Sequence, residues 1–329
     1  MVWIDRHVRL VFLCHLTFGG APVKTLRWTI GTILLLSPLI FGCSMAQMTA
    51  NMTVDVMWEA SASVPQENDV ALADVGIASN LKMMEGLALV SPENPKLFRM
   101  LSEGFSSYSF GFLEPKTWAL TDEDDPKYVA LSTRIKEFHS RATRYARVRL
   151  KLLVPDVEAR LDGSTSALEG SLKEDFDDDE LDAIFWMGHC WSLLVAADPE
   201  DLSNVASMGT ITALLNRVYK DKPGYEDGGL AAYFATSHSV MGPGIAGDLA
   251  PAGAKYDEAI NVTNGKYLLP LFLKGLHFCR ASSDKACFVT SMQSVIDADP
   301  NELPRRRLTN VLAQNWAKHW LIQADSIFD

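Results

Sequence analysis

The sequence is poor in the residues that build compact chemical sites. Five cysteines in 329 residues are too few for a disulfide scaffold. No Cys-x-x-Cys or His-Glu-x-x-His pair offers a metal site, and His139, His189, His238, His277 and His319 are scattered. P-loop and Gly-x-Ser-x-Gly patterns are missing, so neither a phosphate cradle nor a nucleophile elbow is encoded locally. No metal, cofactor or catalytic residue is therefore expected, although a site dispersed along the chain escapes this test. Positive charge is also scarce: 30 Lys and Arg stand against 41 Asp and Glu, a net charge of −11. Residues 1–42 carry Arg6, Arg9, Lys24 and Arg27 against Asp5, which leaves the rest of the chain at −14. Such a chain is a poor partner for a nucleic-acid backbone or an anionic lipid surface. No apolar run reaches the roughly 20 residues that cross a bilayer, and no alternating pattern with hairpin turns marks a strand.

What is present begins with Cys43. Ahead of it lies an uncharged stretch, Trp28 to Gly42, preceded by Lys24 and Arg27 and ending Ile40-Phe41-Gly42-Cys43. A basic region, a short apolar core and small residues at the cut describe a secretory signal over residues 1–42. An aliphatic residue, then Gly, then Cys is the bacterial lipobox, in which the Cys thiol takes a diacylglycerol and becomes the mature N-terminus. Cys43 is thus the expected lipidation site, and acyl chains would hold the protein on an envelope membrane, facing the periplasm. Residues 1–22 push the basic region too far from the cut, and Val23 directly precedes Lys24-Thr25-Leu26-Arg27. Translation is expected to start at Val23, which makes residues 1–22 an extension.

The remainder reads as a small polar tether over residues 43–66, then helix after helix from 67 to 329. Leu72, Val75, Leu81, Met84 and Leu87 recur at helical spacing up to Ser91-Pro92. Asn94-Pro95 and Asp125-Pro126 are helix-start signals, a cap followed by Pro in the first turn. Further helices are expected near 179–197, 200–220, 227–241, 251–261, 266–282, 285–298 and 304–327, and the stretch 162–178 looks least ordered. The expected class is all-α, with helix pairs packed in series. Pro92 and Pro126 lie 34 residues apart, the tetratricopeptide period, and Leu101, Gly104 and Tyr108 fill its small and aromatic positions. No strict period continues, so the repeats are degenerate.

Gly242-Pro243-Gly244-Ile245-Ala246-Gly247 matches a dinucleotide fingerprint in letters only, because Pro243 removes a donor and a helical pattern precedes it. It reads as a turn. The acidic run from Glu174 to Asp182 lacks the spacing of a calcium loop, whereas carboxylates at a helix start favour its positive dipole end. Cys190 reads as a buried thiol. Cys279 and Cys287 flank a helix-to-helix turn where an oxidising compartment permits a disulfide. Trp186, Trp191, Tyr233 and Phe234 belong to aromatic groups that are either core or an apolar ligand or partner surface.

Four stretches together resemble the TatT family, lipoprotein partners of tripartite ATP-independent periplasmic (TRAP) transporters. They are Gly188-His189-Cys190-Trp191; Leu215-Asn216-Arg217-Val218-Tyr219 with Tyr225-Glu226-Asp227-Gly228-Gly229; Pro243 to Asp248 leading into Ala254 to Ile260; and Asn301 to Ala317. In the third, Ala246 stands where the family has Gly and Tyr256 where it has Phe. The resemblance runs from about Val70 to the C-terminus. It implies a helical repeat fold of the tetratricopeptide kind, a homotrimer, and docking with a periplasmic solute-binding protein. It also implies a non-enzymatic part in ligand hand-over, hydrophobic ligands included. Two other readings stay open from the sequence: a generic tetratricopeptide-like scaffold lipoprotein, and a hydrolase with a dispersed site.

Overall fold

The computed structural model describes residues 45–120, 122–240 and 249–329, with residues 204 and 205 as backbone alone. Cys43, the residues read as signal and extension, and the stretch 242–247 read as a turn lie outside the described residues. The chain divides into a unit ending at Ala50 and a unit from Asn51 to Asp329. Among the described residues every regular element is helical, so the class is all-α.

The main helices of the second unit are α1 (Val70–Val90), α2 (Pro95–Tyr108), α3 (Pro126–Leu153), α4 (Asp178–Ala197) and α5 (Met208–Asp221). They are followed by α6 (Gly229–Val240), α7 (Leu249–Val262), α8 (Leu268–Leu273), α9 (Lys285–Asp297) and α10 (Arg307–Ile322). Several starts have a local chemical cause. The Asp69 carboxylate accepts from the Ala71 and Leu72 amides at 3.0 and 3.1 Å, and Asn94 accepts from Lys96 and Leu97 at 3.1 and 3.2 Å. Asp177 and Glu180 form a reciprocal capping box at 2.9 and 2.8 Å. These side chains satisfy amides that a helix N-terminus otherwise leaves unbonded.

Packing follows chain order in part. Helix α3 lies against α2 and α4, α5 against α4, α6 against α7, and α9 against α10. The core threads through this stack with Leu97, Leu101, Phe105, Leu150, Ile184, Met187, Ile211 and Leu215 almost wholly buried. Gly188 lets α4 approach α5, since a Cβ there would sit 2.9 Å from the Leu215 side chain. A satellite core of Ala231, Ala232, Ala235, Tyr256 and Ala259 joins α6 to α7.

The structure adds detail that the sequence did not show. Residues 45–61, within the stretch read as a tether, are helical, and within the second unit Val54 is fully buried while Asp55 pairs with Lys96 at 2.7 Å. The 162–178 stretch contains a helix, Thr165–Ser171, capped by Ser164. The single helix expected over 200–220 is two, Leu202–Ala206 and α5. Helices α2 and α8 each run into a π-helical segment, Ser109–Leu113 and Lys274–Cys279, where hydrogen bonds reach one residue farther. A disulfide joins Cys279 and Cys287 across the following turn, with Cα atoms 5.5 Å apart.

Candidate functional site

Helix α4 places Asp182, Trp186 and His189 four and three residues apart, on one face. Asp182 is the hub. It accepts from Arg99 Nε of α2 at 2.7 Å, from Arg149 of α3, and from the Tyr225 hydroxyl. Both guanidiniums are nearly sealed from water, Arg99 at 7 % and Arg149 at 4 % exposure. Arg99 also donates to Glu103 at 2.5 Å, approaches Glu226 at 3.8 Å, and lies 4.1 Å over the Trp186 ring. The Glu226-Asp227 turn is gripped from the other side. Arg306 reaches Glu226 and Asp227 at 2.6 and 2.7 Å, and Arg305 reaches Asp227 at 2.6 Å.

Charge balances across this cluster: Arg99, Arg149, Arg305 and Arg306 against Glu103, Asp182, Glu226 and Asp227. Burial raises the Asp182 pKa, but Arg99, Arg149 and the Tyr225 hydroxyl outweigh it and hold the carboxyl below its ordinary value. Burial lowers Arg99, yet Glu103, Asp182 and Glu226 keep it above its ordinary value. The turn itself is forced. Glu226 and Asp227 adopt φ of 53° and 56°, and Gly228 has φ of 91°. A Cβ on Gly228 would lie 2.4 Å from the Ala259 carbonyl oxygen. Only glycine fits there, and ion pairs hold two non-glycine residues in the left-handed region.

Of the four aromatic candidates, Trp186 is buried at 4 % exposure, edge-on to Phe185 and His189, and its Nε1 has no hydrogen-bond partner. Trp191 is half-buried against the core. Tyr233 and Phe234 form a separate group, edge-on to one another, with Tyr219 on Phe234. Burial raises the Tyr233 hydroxyl, with Ser237 and Ser192 of α4 opposing it. The four do not form one cluster; α4 stands beside both groups. His189 is stacked 5.2 Å from Phe185, and burial, then the charges of His139 and Arg99, pull it down to about 4. It is a neutral ring at physiological pH. Burial pushes the Cys190 thiol up to about 12, an inert side chain whose sulfur lies 3.7 Å from the Ser102 carbonyl.

A third aromatic group gathers around Trp316 and Trp320 of α10, and sequence reasoning missed the rings they meet. Trp118 meets Trp316 and Trp320 of α10 at 5.9 and 5.4 Å, Phe110 meets Trp316 at 5.4 Å, and Arg280 lies over Trp320. Trp316 and Trp320 are legible at helical spacing, but Phe110 sits on the π-segment, which no local pattern announces. A cleft of about 590 Å³ lies elsewhere, between Leu153, Val157, Phe176 and the carboxylates of Asp156 and Glu174. None of the aromatic candidates lines it. Among the described residues no group of three or more His, Cys, Asp or Glu is placed to hold a metal ion, and no helix is long and apolar enough to cross a membrane.

The motifs behind the resemblance now have physical reasons. Arg217 donates to the Leu172 and Glu174 carbonyls at 2.7 and 3.0 Å, tying down the segment before α4. Tyr256 is fully buried, its hydroxyl 2.8 Å from that of Thr236. Asn310 is fully buried, donating to the Lys266 carbonyl and accepting from the Leu268 amide, both at 2.9 Å. Gln314 donates to three carbonyls at the end of α9. No curated protein matches the chain. The family model of the TRAP transporter T-component matches residues 66–328, nearly the whole helical unit, and the chain belongs to that family.

Proposed function

We propose that the protein is a non-enzymatic accessory subunit of a TRAP-type uptake system, facing the periplasm and held to the envelope membrane by acyl chains on Cys43. In this reading it forms a homotrimer, docks a periplasmic solute-binding protein and assists hand-over of its ligand. Its helices act as degenerate tetratricopeptide-like pairs that present a partner surface. The observation that carries the reading is membership of the T-component family over residues 66–328.

The chemistry of the buried residues supports it. An enzyme needs a nucleophile or base at a pKa matched to its task and within reach of substrate. Cys190 is sealed and held up at about 12, and His189 is held down at about 4. The arginines and carboxylates around Asp182 are spent on one another. Such a network fixes the relative placement of α2, α3, α4 and the start of α6, which suits a surface that must keep its shape. The test is capture from its own cells. A tagged copy, cross-linked in the periplasm, should retain the solute-binding protein encoded beside it. Recovery of outer-membrane assembly factors in its place would favour a scaffold, and recovery of neither would remove the transport assignment.

A further inference from the structure

Helix α1 turns one side to the core and leaves the other in water. Ala73, Leu81 and Met84 are buried, and a Cβ on Gly104 of α2 would sit 2.7 Å from the Leu81 side chain. The opposite side is apolar as well: Leu72, Val75, Met83 and Leu89 are 59, 69, 51 and 87 % exposed. An apolar helix face of this length is normally covered by something. Leu72, Gly76, Ser79, Met83, Gly86 and Val90 follow one another at alternating steps of four and three residues, the spacing of a seam that receives another helix. No charge falls on that seam. Glycine weakens a helix interior, yet nothing lies within 4 Å of a Cβ built on Gly76 or Gly86, so no packing inside the chain calls for either. They open holes between the larger Leu72, Met83 and Val90, where side chains of a facing helix fit.

The border of this face is positive. Helix α3 runs beside α1 in the same sense. At one end the Tyr145 hydroxyl donates to Glu85 at 2.9 Å and Arg141 approaches Glu85 at 3.7 Å. Toward the other end Arg134 lies over Phe138, which stacks on Tyr108, whose hydroxyl donates to Asp74 at 2.6 Å. Helix α3 carries eight Lys and Arg against one carboxylate, Glu137, in a chain of net charge −11. Arg134 and Arg144 are exposed, and neither forms an ion pair among the described residues. Lys82 of α1 is exposed at the edge of the seam.

We propose that the apolar face of α1 and its arginine border dock the solute-binding protein, through a helix of that partner with large apolar side chains and flanking carboxylates. The proposal rests on the reading of the chain as a TRAP accessory subunit and names the surface which that reading leaves open. Charge chooses the occupant. A second copy offering the same face would set Arg134 and Arg144 against the same arginines, whereas an acidic rim neutralises them. Size agrees. The seam and its border measure about 31 by 20 Å, roughly 600 Å² a side, and about 1,200 Å² in total is the size at which transient partners meet. A subunit that hands over ligand must also let its partner go.

The test uses the full chain as its own cells process it, purified in detergent micelles, and the solute-binding protein encoded beside it, with Kd read by biolayer interferometry. Gly76→Leu with Gly86→Leu fills the holes in the seam from positions that face open space, so the fold is kept; a thermal melt no lower than the parent's checks this. Arg134→Glu with Arg144→Glu reverses the border without breaking an ion pair. Each double variant should weaken Kd at least about tenfold, and Glu169→Leu, on the exposed Thr165–Ser171 helix, by less than about twofold. Binding by the parent should also weaken as salt rises. A parent that binds while both double variants stay within about twofold of it would overturn this surface and leave the transport reading standing. A parent that binds no solute-binding protein would remove that reading, and the proposal with it. Sedimentation velocity of the double variants alone covers the other occupant. Loss of the oligomer together with loss of binding would assign the face to a second copy and overturn the proposal.

Discussion

Replacing Asp182 with Asn tests whether the buried ion network holds the helical stack together. The substitution keeps the shape and removes the charge that two sealed guanidiniums share. Arg99 retains Glu103 at 2.5 Å and a more distant Glu226. Arg149 retains only the Asp179 carbonyl at 3.3 Å, and its Nε has no partner even in the intact protein. Breaking a buried pair while leaving the other charge in place costs about 3–5 kcal/mol, and most of that falls on Arg149. For a domain of this size each kcal/mol lowers Tm by about 2–4 °C, so Asp182→Asn should lower it by about 10 °C. Urea unfolding followed by circular dichroism at 222 nm measures the loss without screening charges. The control is Asp325→Asn, whose pair with Lys285 at 3.0 Å is exposed on both sides and should change stability by less than about 0.5 kcal/mol. Adding Arg149→Met to Asp182→Asn should recover part of the loss by removing the stranded cation. A loss below about 1 kcal/mol for Asp182→Asn would refute the claim that this network matters to stability.

Three other outcomes follow. Gly228→Ala should destabilise by about 2–3 kcal/mol, since it adds a Cβ against the Ala259 carbonyl at a positive φ; a melting temperature equal to the parent's would contradict that geometry. His189 and His277 both titrate near 4 in the folded chain, pulled down by burial and then by neighbouring cations. Their contribution is therefore complete above pH 6.5 and is lost as pH falls towards 4, by about 3 kcal/mol per histidine. His189→Gln should flatten stability against pH in that window, and an unchanged slope would count against the shift. Cys43→Ser should move the protein from the membrane to the soluble periplasmic fraction or leave it as precursor; a variant that matures and stays membrane-bound would defeat the lipid anchor.

Local chemistry made the helices legible. Asn94 and Asp125 cap the helices whose starts they announce, because a cap depends on residues two or three positions away. The π-segments at Ser109–Leu113 and Lys274–Cys279 were not legible, because they arise where neighbouring helices dictate register. Asp182 looked like one more helix-start carboxylate. Its role as a hub depends on Arg99 and Arg149, which lie 83 and 33 residues away. The Glu226-Asp227-Gly228 turn is visible as letters, but its left-handed backbone is fixed by Arg305 and Arg306. The burial of Val54 was not legible either, because it depends on the helices that meet it and not on its neighbours Thr53 and Asp55. The aromatic candidates divided into two groups because helical spacing places rings on a face without saying which neighbour that face meets.

The central claim is that this family member works by binding a solute-binding protein, and sedimentation velocity of the two together tests it most directly. The mature chain without lipid should sediment alone as a closed oligomer. Mixed with the solute-binding protein encoded beside it, it should give a faster complex with Kd of micromolar or tighter, about −8 kcal/mol or better. A strict monomer that forms no complex at tens of micromolar, a rough ceiling for a specific pair, would contradict the account.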